Sequence, residues 1–372
     1  MPGLLTRVRS RLHAASSARE LARHWQEKYE GLRTQVRERA QRDHEERDTL
    51  KSQSMRRARR MPSVDTLQHM LQARTGVAQS RAARSRHPGP EVASVALDAS
   101  TVRRTTVDGL TWWVPALSSQ SAASIDRMLA KQRFPYLAIA QTRDVSVGGV
   151  MLDIGANVGR MAIPRVILGD STRAYCAEPD ELNWQCLTAN VRDNGLAGLV
   201  VADCVAISDR VGCLPLQRGK MSGAHRIVHT GPGPENVSSV RCTTLDAWVD
   251  DHAIDLSEVT FVKVDTQGSE VHVLAGASRV LAEPHIAWQI EVSPSHLRLA
   301  GNAPAVLYGV LRERFSHFYD LNPHVEGPKL RPIADLASAL EYLERTEDAQ
   351  TDLVLYRAPA ISSQPASRGR TP

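Results

Sequence analysis

The chain has 372 residues, enough for one large domain with extensions or for two domains. Its net charge of +5 is unevenly placed: residues 1–90 hold 20 Lys and Arg against 9 Asp and Glu, so +11, and the remainder carries −6. No apolar run approaches the ~18 residues of a transmembrane helix, and the Arg-rich start lacks the apolar core of a secretory signal.

Five cysteines (Cys176, Cys186, Cys204, Cys213, Cys242) without a C-x-x-C pair indicate neither a zinc site nor a disulfide framework. The expected setting is a reducing cytoplasm.

Residues 1–90 read as a basic, largely helical extension and linker. Leu21, Trp25, Tyr29, Leu32 and Val36 recur at helical spacing, which predicts a helix over 17–48 with one apolar stripe. The stripe suits a homodimer through this helix and is too short for a coiled coil. A short helix is expected over 64–73, then a Ser-, Arg- and Pro-rich linker over 76–92. The charge alone would suit nucleic acid or an anionic membrane, but Trp25 and Tyr29 fall on the apolar stripe and no nucleic-acid motif accompanies it. Residues 91–148 form a lead-in, with a strand or hairpin over 106–115 and a helix over 124–140.

From 149 to 358 strands and helices alternate. Strands are expected at 150–154, 173–177, 199–205, 259–264 and 286–291, with helices over 157–168, 181–194, 269–282 and 305–314. A looser segment runs to residue 240, and two late strands lie at 318–321 and 352–357. The alternation predicts an α/β, Rossmann-like fold: a mostly parallel, doubly wound sheet covered on both faces. Residues 359–372, rich in Pro and Ser, read as a disordered tail.

Two stretches carry the chemistry. Val150-Met151-Leu152-Asp153-Ile154-Gly155-Ala156-Asn157-Val158-Gly159 is an apolar strand that runs into a glycine turn. Ala174-Tyr175-Cys176-Ala177-Glu178-Pro179 is a second strand that ends on an acid, 25 residues after Asp153. Together they describe a nucleotide-binding unit with an acid where a ribose would lie. Asn157 stands where a dinucleotide fingerprint has its middle glycine, and Asp153 would repel a phosphate. A ligand with an ammonium group and no phosphate suits the motif better, which favours S-adenosylmethionine over a nicotinamide cofactor.

Four segments in order then resemble one family: D-I-G-A-N-V-G at 153–159, A-E-P at 177–179, T-L-D at 244–246, and V-K-V-D-T-Q-G-S-E at 262–270, which runs on into V-L-A-G-A at 273–277. They are similar to the FkbM-type S-adenosylmethionine-dependent methyltransferases. The family form of the fourth block is K-I-D-x-E-G-x-E, and Gln267 replaces its inner Glu here. The resemblance covers roughly residues 145–300 on motif order. It implies a class I methyltransferase fold and methyl transfer, usually to the oxygen of a sugar, a glycan or a secondary metabolite.

On this reading Asp153, Gly155, Asn157, Gly159 and Glu178 bind the donor: Asp153 its ammonium end, Glu178 its ribose hydroxyls, and the glycines by allowing close backbone approach. Asp203 or the backbone near Ala206 meets the adenine. Asp265 and Glu291, at adjacent strand ends, are the first candidates for a base or for orienting the acceptor, with His272 and His296 behind them. Lys263, inside an apolar strand, needs a partner. Asp153, Asp265 or Glu291 can supply it. The basic segment 217–241 reads as acceptor-side, through Lys220, His225 and Arg226. Glu270 is either a helix-capping acid or an acceptor contact. The competing reading is a degenerate methyltransferase fold that acts as a binding or assembly module through its basic arm.

Overall fold

The structure, a computed structural model, describes residues 97–107, 109–116, 148–229, 237–321, 330–346 and 349–357, together with Thr66, His69 and Met70. These lie in the second of two compact units, 1–60 and 61–372. The expected helices over 17–48 and 124–140, the linker and the tail lie outside the described residues. Of the helix expected over 64–73, Thr66, His69 and Met70 are described and are helical.

The lead-in is a hairpin of β1 (Val102–Val107) and β2 (Leu110–Pro115). The elements then run β3 (Val150–Ile154), α1 (Ala162–Leu168), β4 (Arg173–Ala177), α2 (Glu181–Asp193) and β5 (Val200–Asp203). Four strands follow: β6 (Ala206–Ser208), β7 (Gly212–Gln217), β8 (Arg226–Ile227) and β9 (Val237–Thr244). After α3 (Leu245–Asp251) come β10 (Val259–Val264), α4 (Glu270–Ala275), β11 (Ala287–Val292), α5 (Pro294–Leu299) and α6 (Pro304–Arg314). The described chain closes with β12 (His317–Asp320), β13 (Leu330–Pro332), α7 (Leu336–Ala339), α8 (Glu341–Arg345) and β14 (Thr351–Tyr356).

The main sheet has eight strands in the order β13-β12-β14-β11-β10-β3-β4-β5. Strands β11, β10, β3, β4 and β5 are parallel, and β14, β12 and β13 form an antiparallel edge. Residues of β3 and β10 alternate between two cores. Leu152, Ile154, Val262 and Val264 face a core with Trp248, Leu274 and Leu307, from α3, α4 and α6. Met151 and Phe261 face one with Ile163 and Leu187, from α1 and α2, and with Trp112 of the hairpin. Burial on both faces is why these strands read as nearly unbroken apolar runs.

Asp153 and Lys263, two exceptions to that apolar run, lie in one row. Cys176, Asp153, Lys263 and Gln289 are register partners on four neighbouring strands. Strand alternation places them on the α1 side of the sheet. All four are buried.

The hairpin is held by two asparagines of α2 spaced one helical turn apart. Asn194 accepts from the Thr111 N–H and donates to the Thr111 carbonyl (2.9 and 2.8 Å). Asn190 does the same for Trp113. Their amides stand in for a neighbouring strand along β2.

The looser segment expected up to residue 240 is instead largely a second sheet, in the order β6-β9-β7-β8. It closes on a small core of Ala206, Leu214, Leu216, Ile227 and Cys242. Its strands are short, two and three residues in β8 and β6, and Pro215 interrupts β7. Little periodicity survives for a sequence reading to detect. The helix expected from 157 starts at Ala162, because Asn157 and Gly159 are both left-handed (φ 52° and 89°) and make a turn of the intervening residues.

Candidate active site

A cleft of about 560 Å³ opens at the carboxyl ends of β3, β4, β10 and β11. This is the switch point, where β4 and β5 build outward from β3 on one side and β10 and β11 on the other. Asp153, Gly155, Asn157, Glu178 and Ala206 line it, as do Lys263, Asp265, Glu291, His225 and His296.

Glu178 is buried at 5% exposure. Its Oε2 accepts from the Asn157 N–H (2.8 Å), and its Oε1 from the Asp180 N–H (2.9 Å) and the Asn183 amide (3.3 Å). Burial pushes its pKa up to about 7 against those donors. Asp153 is 1% exposed, and neither carboxylate oxygen has a hydrogen bond of ordinary geometry. Burial pushes it up to about 6, while the Lys263 ammonium and, more weakly, the Ala162 N–H favour the charged form.

The glycines serve the protein's own packing. A Cβ on Gly155 would stand 1.9 Å from the Asp265 carbonyl oxygen, and one on Gly159 would stand 2.6 Å from Leu187. Gly155 therefore lets the end of β3 lie against the end of β10, and Gly159 lets the turn pack on α1 and α2. Gly159 does not line the cleft. The backbone approach expected for these glycines is to chain atoms.

At the other end of the cleft, Lys263 donates to Asp265 Oδ2 at 2.8 Å. Burial alone would lower the lysine and raise the aspartate. The attraction between them wins for both, with Asp153 and Asp352 adding to the lysine side, so Lys263 is held above and Asp265 below its ordinary range. Lys263 thus pairs with one of the three acids the sequence offered and neighbours a second.

Gln267 donates from Nε2 to both Asp265 Oδ1 and Glu291 Oε2, each at 3.0 Å. Burial, then the charges of Asp265, Asp352 and Glu270, keep Glu291 well above the usual carboxylate range. The charged form of Asp265 and the protonated form of Glu291 are thus the ones their surroundings favour. His296 Nδ1 lies 3.8 Å from Glu291 Oε2.

Five more expected site residues stand elsewhere. Asp203 does not line the cleft: it accepts from Arg241 (2.8 Å), Trp248 Nε1 (3.0 Å) and His252 (3.3 Å), tying β5 to β9 and α3. His272 faces away, stacked on His229 with ring centres 3.5 Å apart and paired with Asp209 at 3.2 Å. Glu270 is 1% exposed. Its Oε1 accepts from the Thr266 N–H and hydroxyl and the Gly268 N–H, so it closes the turn ahead of α4 and does not line the cleft. Lys220 is exposed and Arg226, on β8, pairs with Gln217 of β7, and neither lines the cleft.

The segment read as acceptor-side instead folds over the Glu178 end. The Ser222 carbonyl accepts from both Asn157 Nδ2 (3.1 Å) and Asn183 Nδ2 (3.0 Å). Arg218 pairs with Asp180 at 2.7 Å, and His225 Nδ1 accepts from the Gly219 N–H. Sequence reasoning missed Gln267 as a bridge, Asn183 as a second hold on Glu178, and Arg160, a cation in the cleft lining directly after the last motif glycine.

Residues 153–319 match the family model of the methyltransferase FkbM domain. A solved structure similar to this chain is the methyltransferase FkbM from Methylobacillus flagellatus KT, at 18% identity over 56% of this chain and 44% of that one, with a TM-score of 0.31. Two tRNA methyltransferases named TrmK are also similar. That of B. subtilis has 12% identity over 59% of this chain and 65% of that one, TM-score 0.31. That of M. capricolum, in complex with S-adenosyl-homocysteine, has 13% identity over 59% and 67%, TM-score 0.31. The chain therefore spans less than half the length of the Methylobacillus protein. No curated protein matches the sequence. Among the described residues, no helix is long and apolar enough to cross a membrane.

Proposed function

We propose that this protein transfers a methyl group from S-adenosylmethionine to a hydroxyl oxygen of a sugar, a glycan or a secondary metabolite. The observation that carries the reading is the cleft itself, with Glu178 at one end, the unpartnered Asp153 carboxylate within, and the ionised Asp265 at the other end. The residues present fit the donor. Asp153 has two buried oxygens that need a cation. Glu178 retains lone pairs for ribose hydroxyls. Val205, Ala206 and Ile207 line the cleft near Glu178 and offer an apolar wall for an adenine.

Bound there, S-adenosylmethionine supplies an activated methyl group on a sulfonium. The chain's part is alignment and exclusion of water. Asp265, held as an anion by Lys263 and Gln267, accepts the hydrogen bond of the acceptor hydroxyl and draws its proton as the oxygen attacks. Glu291, whose burial favours its protonated form, is bridged to Asp265 through Gln267.

The test offers the full chain methyl-labelled S-adenosylmethionine and a panel of free sugars, oligosaccharides and polyketide-type alcohols. The expected product is a methyl ether, with turnover lowered about 10²-fold or more in Asp265→Asn and donor affinity nearly unchanged. Label on nitrogen, or turnover indifferent to Asp265, would contradict the proposal.

A further inference from the structure

Arg160 lines the cleft, yet among the described residues its guanidinium has neither a hydrogen bond nor a salt bridge. Its Nε is sealed from solvent. Burial lowers its pKa, and the acids that act on it, Asp265 and Asp352, are too far away to pair with it. The other cation of the cleft, Lys263, is taken by Asp265. A guanidinium whose Nε is cut off from water with no acceptor is costly and persists where something else supplies the acceptor.

Asp153 carries the complementary defect, with two buried carboxylate oxygens and no hydrogen bond of ordinary geometry to either. The orphan anion and the orphan cation flank one turn, from the end of β3 to the start of α1, and face one cleft. A molecule with an ammonium and a carboxylate on one carbon satisfies both. A neutral ligand satisfies neither.

We propose that Arg160 binds the α-carboxylate of S-adenosylmethionine, so that the cleft grips the amino-acid end of the donor by a charge pair, Asp153 on the ammonium and Arg160 on the carboxylate. This deepens the donor reading and rests on it. Arg160 is then a binding residue for the donor and takes no part in moving the proton.

The experiment is calorimetric titration of the full chain with S-adenosylmethionine and with its decarboxylated analogue, on wild type, Arg160→Lys and Arg160→Met. The wild type should prefer the intact donor by about ten- to a hundredfold, the strength of a hydrogen bond to a charged group. Arg160→Met should bind both compounds alike, and should bind the decarboxylated one as the wild type does, which shows the cleft intact. Arg160→Lys should keep part of the preference, since an ammonium offers a point charge in place of a two-pronged fork. An Arg160→Met variant that keeps the full preference would overturn the proposal and leave the guanidinium to an anion on the acceptor. A wild type with no preference would overturn it as well. A wild type that binds neither compound would instead defeat the donor reading beneath it.

Discussion

The amide of Gln267 lies 3.0 Å from the carboxyl of Glu291 and the same distance from that of Asp265, so one nitrogen spends its two hydrogens on two acids. The residue sits at φ 55°, a left-handed backbone that a long side chain seldom adopts. At this position the FkbM form of the motif has Glu. In this chain a neutral donor keeps apart two carboxyls that would otherwise meet.

Gln267→Glu should therefore destabilise the protein although it restores the family residue. The substitution removes the shared donor and adds a third carboxylate, a loss of about 2 kcal/mol or more. The loss should shrink at acid pH, where the acids take up protons and share them. Thermal melts at pH 5.5 and pH 8 measure it. An equal loss at both values would mean that Gln267 acts through its backbone conformation.

Glu178, buried in the cleft, should leave a signature in stability. Burial raises Glu178 from 4.5 to about 7, so between those values the folded chain holds a proton that the unfolded chain has released. Stability then falls as pH rises through that window, by at most about 1.4 kcal/mol per pH unit from this group. Asp153 and Asp352, raised to about 6, act in the same sense. His229, lowered to about 4 by burial and by His272, acts in the opposite sense. Glu178→Gln should remove one part of the slope, so that wild type loses stability relative to the variant from pH 5 to pH 7.5. Parallel stability curves would show that Glu178 is not held neutral.

Asn190 and Asn194 each satisfy a donor and an acceptor of β2. Replacing either with Ala orphans two backbone groups of β2, and for Asn190 the Val158 carbonyl as well, and should cost about 1–3 kcal/mol. Hydrogen exchange at the amides of Thr111 (Asn194→Ala) and Trp113 (Asn190→Ala) should quicken selectively. Unchanged exchange would mean that the hairpin is held by Trp112 packing alone.

The parallel strands were legible because burial on both faces makes them apolar throughout, and β3 and β10 appear in the structure at the expected residues. The same rule made Lys263 conspicuous and led to its acidic partner. The second sheet was not legible, since β6 and β8 are too short to show a period and Pro215 breaks the run between them. Asp203 resembled Glu178 as an acid at a strand end. What separates them is Trp248, 45 residues on, whose indole reaches Asp203. His272 was misplaced for a similar reason, because its partner His229 comes from the segment that carried no readable structure. Of the motif blocks, T-L-D is structural: Asp246 accepts from the Arg279 and Val280 N–H groups and holds the turn after α4. Arg160 had a signal that was passed over, a charged residue directly after a loop of small and apolar ones.

The most direct test of the account is calorimetric titration of S-adenosylmethionine and S-adenosylhomocysteine into the full chain and its Glu178→Ala variant. The account predicts micromolar binding of both compounds to wild type and no measurable binding to the variant. Wild-type chain that binds neither, or a variant that binds as tightly as wild type, would contradict it.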